Sequence, residues 1–147
     1  ASDVYKRQLK PGAGKRKIAG DQYEGTYIHK RDGYYYLIVS TGDFMKDYHV
    51  VVGRSRSLMG PYVDRAGRDM LGVHHELVVG NGNGFVAPGH NAEFITDDKG
   101  QDWMLYHTRL EVGGPRYLLL DRIEWNDGWP EVRGHVPARS AEAPVFE

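Results

Sequence analysis

The chain has 147 residues, a formal net charge of −1 and no cysteine. Its length supports a single domain with its own hydrophobic core, and its balanced charge excludes a strongly basic surface for nucleic acid. The lack of cysteine excludes disulfides, thiolate metal sites and a cysteine nucleophile.

The amino end of the sequence carries little fold information. The chain does not begin with Met, and we predict that residues 1–8 are a non-native scar of sequence assembly. No apolar stretch is long enough to span a bilayer and no leader is recognisable, which would place an intact protein in the cytoplasm if residue 1 were its true start. Residues 9–20, rich in Lys, Gly and Pro, predict a loop.

The rest of the chain alternates apolar and polar residues as β-strands do. The predicted strands lie at residues 27–29, 34–40, 48–54, 76–79, 93–96, 103–107 and 116–124. Turn-forming pairs such as Asp32-Gly33 and Lys99-Gly100 separate them. No segment shows a sustained helical period, so we expect an all-β fold.

Two halves of the chain resemble each other. At an offset of 67 residues, Tyr36-Leu37-Ile38 falls on Trp103-Met104-Leu105, and at an offset of 68, Arg54 falls on Arg122. Each half predicts a short strand, a glycine turn, an aromatic-rich second strand, a third strand and a turn toward a fourth. One four-stranded antiparallel sheet per repeat is typical of a β-propeller blade, so we predict two blades of a larger ring. A two-sheet sandwich is the alternative.

The innermost strand of each propeller blade faces the central channel, so the residues that open each repeat should meet there. These residues are Glu24 and His90, each beside a glycine, Gly25 or Gly89, that permits close approach of a ligand or backbone. A carboxyl group in such a channel could serve as a general acid. The alternatives are a solvated carboxylate at a strand end for Glu24 and a buried, hydrogen-bonded histidine for His90.

Four segments resemble, in order and spacing, glycoside hydrolase family 43 and most closely its arabinan endo-1,5-α-L-arabinanases: EGTYIHKRDGYYYLIVS, VVVGRSRSLMGPYVD, PGHNAEFITDDKGQDWMLYH and LLLDRIEWNDGWPEV. The resemblance covers about residues 19–146. It implies a five-bladed β-propeller of inverting enzymes, of which this chain carries the carboxyl-terminal blades. Residues 9–147 are accordingly predicted to be a partial catalytic domain.

The resemblance also implies roles for individual residues. Glu24, in a Glu-Gly-x-Tyr-Ile pattern, corresponds to the general acid that protonates the glycosidic oxygen. His90, in a Gly-His-Asn pattern, corresponds to the histidine that holds an ion, usually calcium with a water shell, on the propeller axis. Inversion also requires a carboxylate base roughly 6.5 to 9.5 Å from the acid. The resemblance places that base, and a modulating Asp, upstream of residue 9, so we expect no hydrolysis from this polypeptide alone.

Three further residues are candidates for substrate binding. Tyr23 adjoins the predicted acid, Ser40 ends a strand that faces the channel, and Arg116 enters a strand of the second repeat. An exposed surface arginine is the alternative for Arg116. The three tryptophans are predicted to lie in the core between blades: Trp103, Trp125 and Trp129.

Sequence and resemblance together predict a hydrolase that cleaves α-1,5-linked arabinan with inversion. The alternatives are a family 43 α-L-arabinofuranosidase or β-xylosidase, and a carbohydrate-binding propeller without catalysis. The expected partner is a polysaccharide or oligosaccharide substrate, with no nucleic acid and no membrane, and the full-length protein is expected to be a monomer. A polymeric substrate implies a secreted or periplasmic location.

Overall fold

The structure is a computed structural model that describes residues 16–147. These residues form two antiparallel β-sheets and two single-turn 3-10 helices, so the prediction of an all-β fold is confirmed. None of the helices in this part of the chain has the length and apolar character needed to cross a membrane. The predicted scar at residues 1–8 lies outside the described residues.

The first sheet is a four-stranded meander in which neighbours in sequence are neighbours in space. Its strands are β1 (Glu24–Arg31), β2 (Tyr34–Thr41), β3 (His49–Ser55) and β4 (Glu76–Val79). Asp32 and Gly33 both have positive φ in the two-residue turn between β1 and β2, which suits the twist of a tight hairpin. A 3-10 turn at Met70–Gly72 precedes β4.

The second sheet has the same plan with an interrupted inner strand. Its strands are β5 (Val86–Gly89), β6 (Ile95–Thr96), β7 (Asp102–Arg109), β8 (Tyr117–Asn126) and β9 (Trp129–Glu131). Both β5 and β6 pair with β7, so together they occupy the place that β1 has in the first sheet. A second 3-10 turn, Arg133–His135, follows β9.

The strand register reproduces the predicted repeat. Tyr36 lies opposite Arg54 in the first sheet, and Trp103 lies opposite Arg122 in the second. The equivalent hairpins differ, because Arg31 pairs with Tyr34 across two turn residues whereas Thr96 pairs with Asp102 across five. Each repeat therefore forms its own sheet, with the same central pairing and a different inner hairpin.

The two sheets bury a common core, which we call the inter-sheet core. Its main members come from both sheets: Tyr36, Ile38, Val50, Val52, Met104, Tyr106, Ile123 and Trp129. Trp129 belongs to this core and the partly buried Trp125 packs against it, as predicted. Trp103 is buried but is not a member of this core, and its indole donates a hydrogen bond to Asp97. The opposite face of the first sheet carries a smaller group, the outer-face cluster, formed by Leu37, Val39, Val51, Tyr62 and Met70.

The carboxyl-terminal segment is fastened to the turn that joins β6 and β7. The Asp97 carboxylate accepts hydrogen bonds from the amides of Lys99 and Gln101, the indole of Trp103 and the amide of Val145. Burial alone would raise the pKa of Asp97, but these hydrogen bonds hold it below its ordinary value. The predicted turn at Lys99-Gly100 is confirmed, because the Gly100 amide donates a hydrogen bond to the Asp97 carbonyl oxygen.

Candidate active site

Glu24 begins β1 at the inner edge of the first sheet. Its Cα lies opposite Ser40, and the register shifts between Glu24 and Tyr27, as in a β-bulge. Gly25 has a φ of 58°, in the left-handed region that favours glycine. Glu24 itself is exposed, so its carboxyl group can meet a substrate from solvent.

Tyr48, just before β3, holds the Glu24 carboxyl group. Its hydroxyl donates a hydrogen bond of 2.9 Å to Glu24 Oε2, and its side chain is 2% exposed. A Cβ added at Gly89 would lie 1.9 Å from Tyr48 Cδ2, so the ring rests on the bare backbone of Gly89. Burial, with the hydrogen bond and charge of Glu24, raises the pKa of Tyr48 to about 12. The hydroxyl therefore remains a donor near neutral pH.

His90 reaches the same place from the second sheet. Its amide donates a 2.8 Å hydrogen bond to Ser40 Oγ, and a Cβ added at Gly25 would lie 3.4 Å from His90 Cα. His90 has a φ of 53°, an uncommon conformation for a residue other than glycine, and such residues cluster at functional sites. Glu24, Ser40 and His90 are thus brought together from two sheets, as the sequence predicted for the acid and the histidine.

His107 completes this group of side chains. Its ring is nearly parallel to that of Tyr48, with centroids 6.1 Å apart, and stacks on that of His90 at 6.2 Å. Its Nε2 is buried without a hydrogen-bond partner among the described residues, and so is the Oδ1 of Asn91. Burial lowers the pKa of His107, and the electrostatic influence of Arg116, His90 and Arg109 lowers it further. The imidazole is therefore neutral near pH 7.

Ser40, Arg116 and Tyr23 differ in how they relate to this group. Ser40 is fully buried and links the two sheets through the His90 amide. Arg116 is exposed just before β8, within electrostatic range of His107. Tyr23 packs against the outer-face cluster, and its hydroxyl lies 2.7 Å from His75 Nδ1. The structure therefore does not bring Tyr23 to the side where Glu24 and Ser40 meet, and substrate binding by all three stays a prediction.

Tyr48 and His107 were not found by sequence reasoning. Tyr48 is only the first residue of a predicted strand, and His107 only the last residue of another. The one signal available was Gly89, because a glycine in a strand often marks close approach of another group. That group is the Tyr48 ring rather than a ligand.

A calcium site at His90 can be compared with the residues present. Calcium takes six to eight oxygen ligands, and the described residues contain no group of three or more His, Asp or Glu side chains that could hold a metal ion. A calcium ion at His90 would therefore need oxygen ligands other than a cluster of carboxylates within residues 16–147.

The candidate site is an open edge of the molecule. A cavity of about 380 Å³ lies between the second sheet and the carboxyl-terminal segment. It is lined by residues such as Asp97 and Asp121 and includes neither Glu24 nor His90. The chemistry suggested by the sequence thus lies where the first strands of the two sheets meet, and not in this cavity.

We expect three partly buried histidines to make the protein less stable in mild acid. Burial lowers the pKa of His29, His75 and His107 below the ordinary 6.5. The unfolded chain therefore binds more protons than the folded chain as the pH falls through 6.5, and the free energy of unfolding decreases. Thermal melts from about pH 8 to about pH 5 should show a falling melting temperature. A constant or rising melting temperature would contradict this, and replacing His75 with Gln should reduce the slope.

Asp97 affects the free energy of unfolding at a lower pH than the histidines do. A carboxylate with a depressed folded pKa stabilises the protein above its ordinary pKa, here 3.8, and that contribution is lost as the pH falls further. As the pH falls, the histidines should therefore begin to destabilise the protein before Asp97 does.

The sequence was compared with protein families and with curated proteins. Residues 3–130 match the family described as Glycosyl hydrolases family 43. The chain is 33% identical over 117 residues to an extracellular exo-α-(1→5)-L-arabinofuranosidase of Cellvibrio japonicus, covering 76% of this chain and 33% of that protein. It is 29% identical over 151 residues to an extracellular endo-α-(1→5)-L-arabinanase of Bacillus subtilis, covering 81% of this chain and 32% of that protein. The chain thus spans about one third of the length of these relatives.

The structure was compared with solved structures. It matches the α-L-arabinanase of Cellvibrio cellulosa complexed with arabinohexaose with a TM-score of 0.68 and 34% identity, covering 76% of this chain and 36% of that one. The two sheets are blades of a five-bladed β-propeller, and the sandwich alternative is wrong. The chain belongs to glycosyl hydrolase family 43.

Proposed function

We propose that this chain is part of a glycoside hydrolase that cleaves α-1,5-linked arabinan with inversion, and that Glu24 is its general acid. The observation that carries the proposal is the position of Glu24, exposed at the inner edge of one blade, held by Tyr48 and next to Gly25, which contacts His90 of the next blade. The relatives named arabinanase and arabinofuranosidase support arabinan as the substrate.

In this reaction the protonated Glu24 carboxyl group donates its proton to the glycosidic oxygen while the bond from that oxygen to the anomeric carbon breaks. A water molecule attacks the anomeric carbon from the opposite face of the sugar and gives a proton to a carboxylate base roughly 6.5 to 9.5 Å from the acid. The products are two sugar chains, one of which has an inverted anomeric centre. Glu24 ends as a carboxylate and regains its proton from water. We propose that the base lies in an upstream blade.

The test requires the chain extended by its upstream coding sequence, which we call the extended protein. We expect it to hydrolyse debranched arabinan, and we expect proton NMR, recorded before mutarotation, to show the β-anomer as the first product. The 147-residue chain alone should release no sugar. A first product with the α-anomer would disprove inversion, and an inactive extended protein that still binds arabinan would favour the carbohydrate-binding alternative.

A second activity within the same chemistry is exo cleavage. It is favoured by the identity of the chain to an exo-acting relative, which is as high as that to endo-acting ones. Time courses on arabinohexaose separate the two, because an exo enzyme releases one product from a chain end and an endo enzyme releases a mixture. Activity on xylo-oligosaccharides in place of arabino-oligosaccharides would support the β-xylosidase alternative.

We further propose that His90 contributes to a calcium site completed by water, and that the protein is exported. Export is supported by relatives whose names describe them as extracellular. No step of the reaction above passes through the ion. Calorimetric titration of the extended protein with calcium would test the first proposal, and the absence of a binding heat would count against it.

A further inference from the structure

We infer that Tyr48 is a positioning residue for Glu24, fixing the carboxyl group through Oε2 so that Oε1 carries the proton transferred to the leaving group. The inference rests on the proposed function, since it gives Tyr48 a task only if Glu24 is the acid. It is carried by the hydrogen bond between the Tyr48 hydroxyl and Glu24 Oε2, 2.9 Å long.

The two partners in this hydrogen bond differ in freedom. Glu24 is an exposed residue with a long side chain, which loses conformational entropy when it is held in one rotamer. Tyr48 is 2% exposed, rests on the backbone of Gly89 and lies parallel to His107. A donor that is already fixed by packing can therefore orient the mobile acid without further ordering of its own.

The hydrogen bond also distinguishes the two oxygens of Glu24. Because the pKa of Tyr48 is raised to about 12, its hydroxyl donates to Oε2 whether the carboxyl group is protonated or not. In the protonated acid, Oε2 is then the accepting oxygen and Oε1 bears the hydrogen. When Oε1 releases that proton, the bond from Tyr48 becomes charge-assisted and strengthens. Tyr48 therefore stabilises the charge that develops on Glu24 during proton transfer.

The substitution Tyr48→Phe in the extended protein tests this role. It removes the hydroxyl and keeps the ring, and we expect kcat on arabinan to fall about tenfold to a hundredfold with a much smaller change in KM. The loss should shrink on an aryl arabinoside with a good leaving group, because such a group departs with little protonation. A structural role alone would lower kcat equally on both substrates, and that result would overturn the inference.

A matched control is Tyr62→Phe. Tyr62 is fully buried, and its hydroxyl donates to the Leu58 carbonyl oxygen at 2.8 Å, but it belongs to the outer-face cluster. The Tyr62→Phe variant should lose about as much stability as Tyr48→Phe does, and it should keep the wild-type ratio of the rates on arabinan and on the aryl arabinoside. If Tyr62→Phe changes that ratio as Tyr48→Phe does, the ratio does not report on Glu24 and the inference fails.

A second variant, Gly89→Ala, displaces the Tyr48 ring while neither Tyr48 nor Glu24 is substituted. The methyl group added at residue 89 would overlap the Tyr48 ring. The control is Gly80→Ala, because a methyl group added at residue 80 would lie 3.7 Å from its nearest neighbour, a Leu77 methyl group. We expect Gly89→Ala to repeat the leaving-group-dependent loss and Gly80→Ala to leave it unchanged. If Tyr48→Phe is too unstable to assay, the comparison of Gly89→Ala with Gly80→Ala tests the inference. A wild-type ratio of the rates on arabinan and on the aryl arabinoside in Gly89→Ala would overturn it.

The two proposals can fail separately. If Glu24→Gln retains full turnover on arabinan, the proposed function fails and the inference with it. If Glu24→Gln is inactive on arabinan but Tyr48→Phe and Gly89→Ala keep the wild-type ratio, only the inference fails.

Discussion

Glu24→Gln in the extended protein is expected to lower kcat on debranched arabinan by about 100-fold to 10,000-fold, the usual contribution of a general acid. The amide keeps the size of the side chain, and its oxygen can still accept the hydrogen bond from Tyr48. It cannot give up a proton to the glycosidic oxygen. Initial rates of reducing-sugar release at saturating substrate measure the effect.

The matched control is Glu93→Gln, which removes another exposed carboxylate, between β5 and β6 of the second sheet. It should leave kcat within about twofold, as expected of a surface change away from the reacting atoms. Activity of Glu24→Gln should partly return on an aryl arabinoside with a good leaving group. Near-normal turnover of Glu24→Gln on arabinan would remove Glu24 from the role of acid.

Trp129→Ala is expected to destabilise the 147-residue chain by about 3–5 kcal/mol, as large-to-small changes of buried aromatic residues do. Trp129 is 4% exposed, meets the edge of the Tyr36 ring at 6.3 Å and lies under the guanidinium of Arg54 at 4.5 Å. Its removal opens a cavity in the inter-sheet core. Such a loss is a large share of the stability of an ordinary domain, about 5–15 kcal/mol.

Urea unfolding followed by circular dichroism would measure this change. Leu118→Ala is the control, because Leu118 is 72% exposed and its truncation should change the free energy of unfolding by no more than about 0.5 kcal/mol. A loss below about 1 kcal/mol for Trp129→Ala would show that the two sheets are not held together by the inter-sheet core.

The strand pairing of both blades could be predicted from the internal repeat. Register is fixed by the side of the sheet on which apolar residues lie, so matching the patterns of Tyr36 and Trp103 also matched their partners Arg54 and Arg122. The inner strand of the second blade could not be predicted. Residues 86–89 pair with β7 before the chain leaves the sheet at His90, which has a positive φ and contacts Gly25 and Ser40 of the other blade.

Part of the site was predictable from the sequence. Glu24 and His90 were expected to meet, and the structure places His90, just after β5, against Gly25, the neighbour of Glu24. Tyr23 precedes Glu24 directly, and consecutive residues of an extended chain point to opposite faces, so strand alternation alone predicts that Tyr23 points away. Tyr48 joins the site through a hydrogen bond to Glu24 of its own sheet, and its ring packs on Gly89 of the other sheet; neither contact leaves a pattern along the sequence.

The polar group around Glu24 is assembled from both sides of the connection at residues 80–85. Glu24, Ser40 and Tyr48 precede that connection, whereas Gly89, His90 and His107 follow it. A nick there would turn an intramolecular arrangement into a bimolecular one, and the fraction of molecules with an intact group would then depend on protein concentration. The same connection would therefore be the natural place to divide the gene for a reporter that responds to the reunion of two polypeptides.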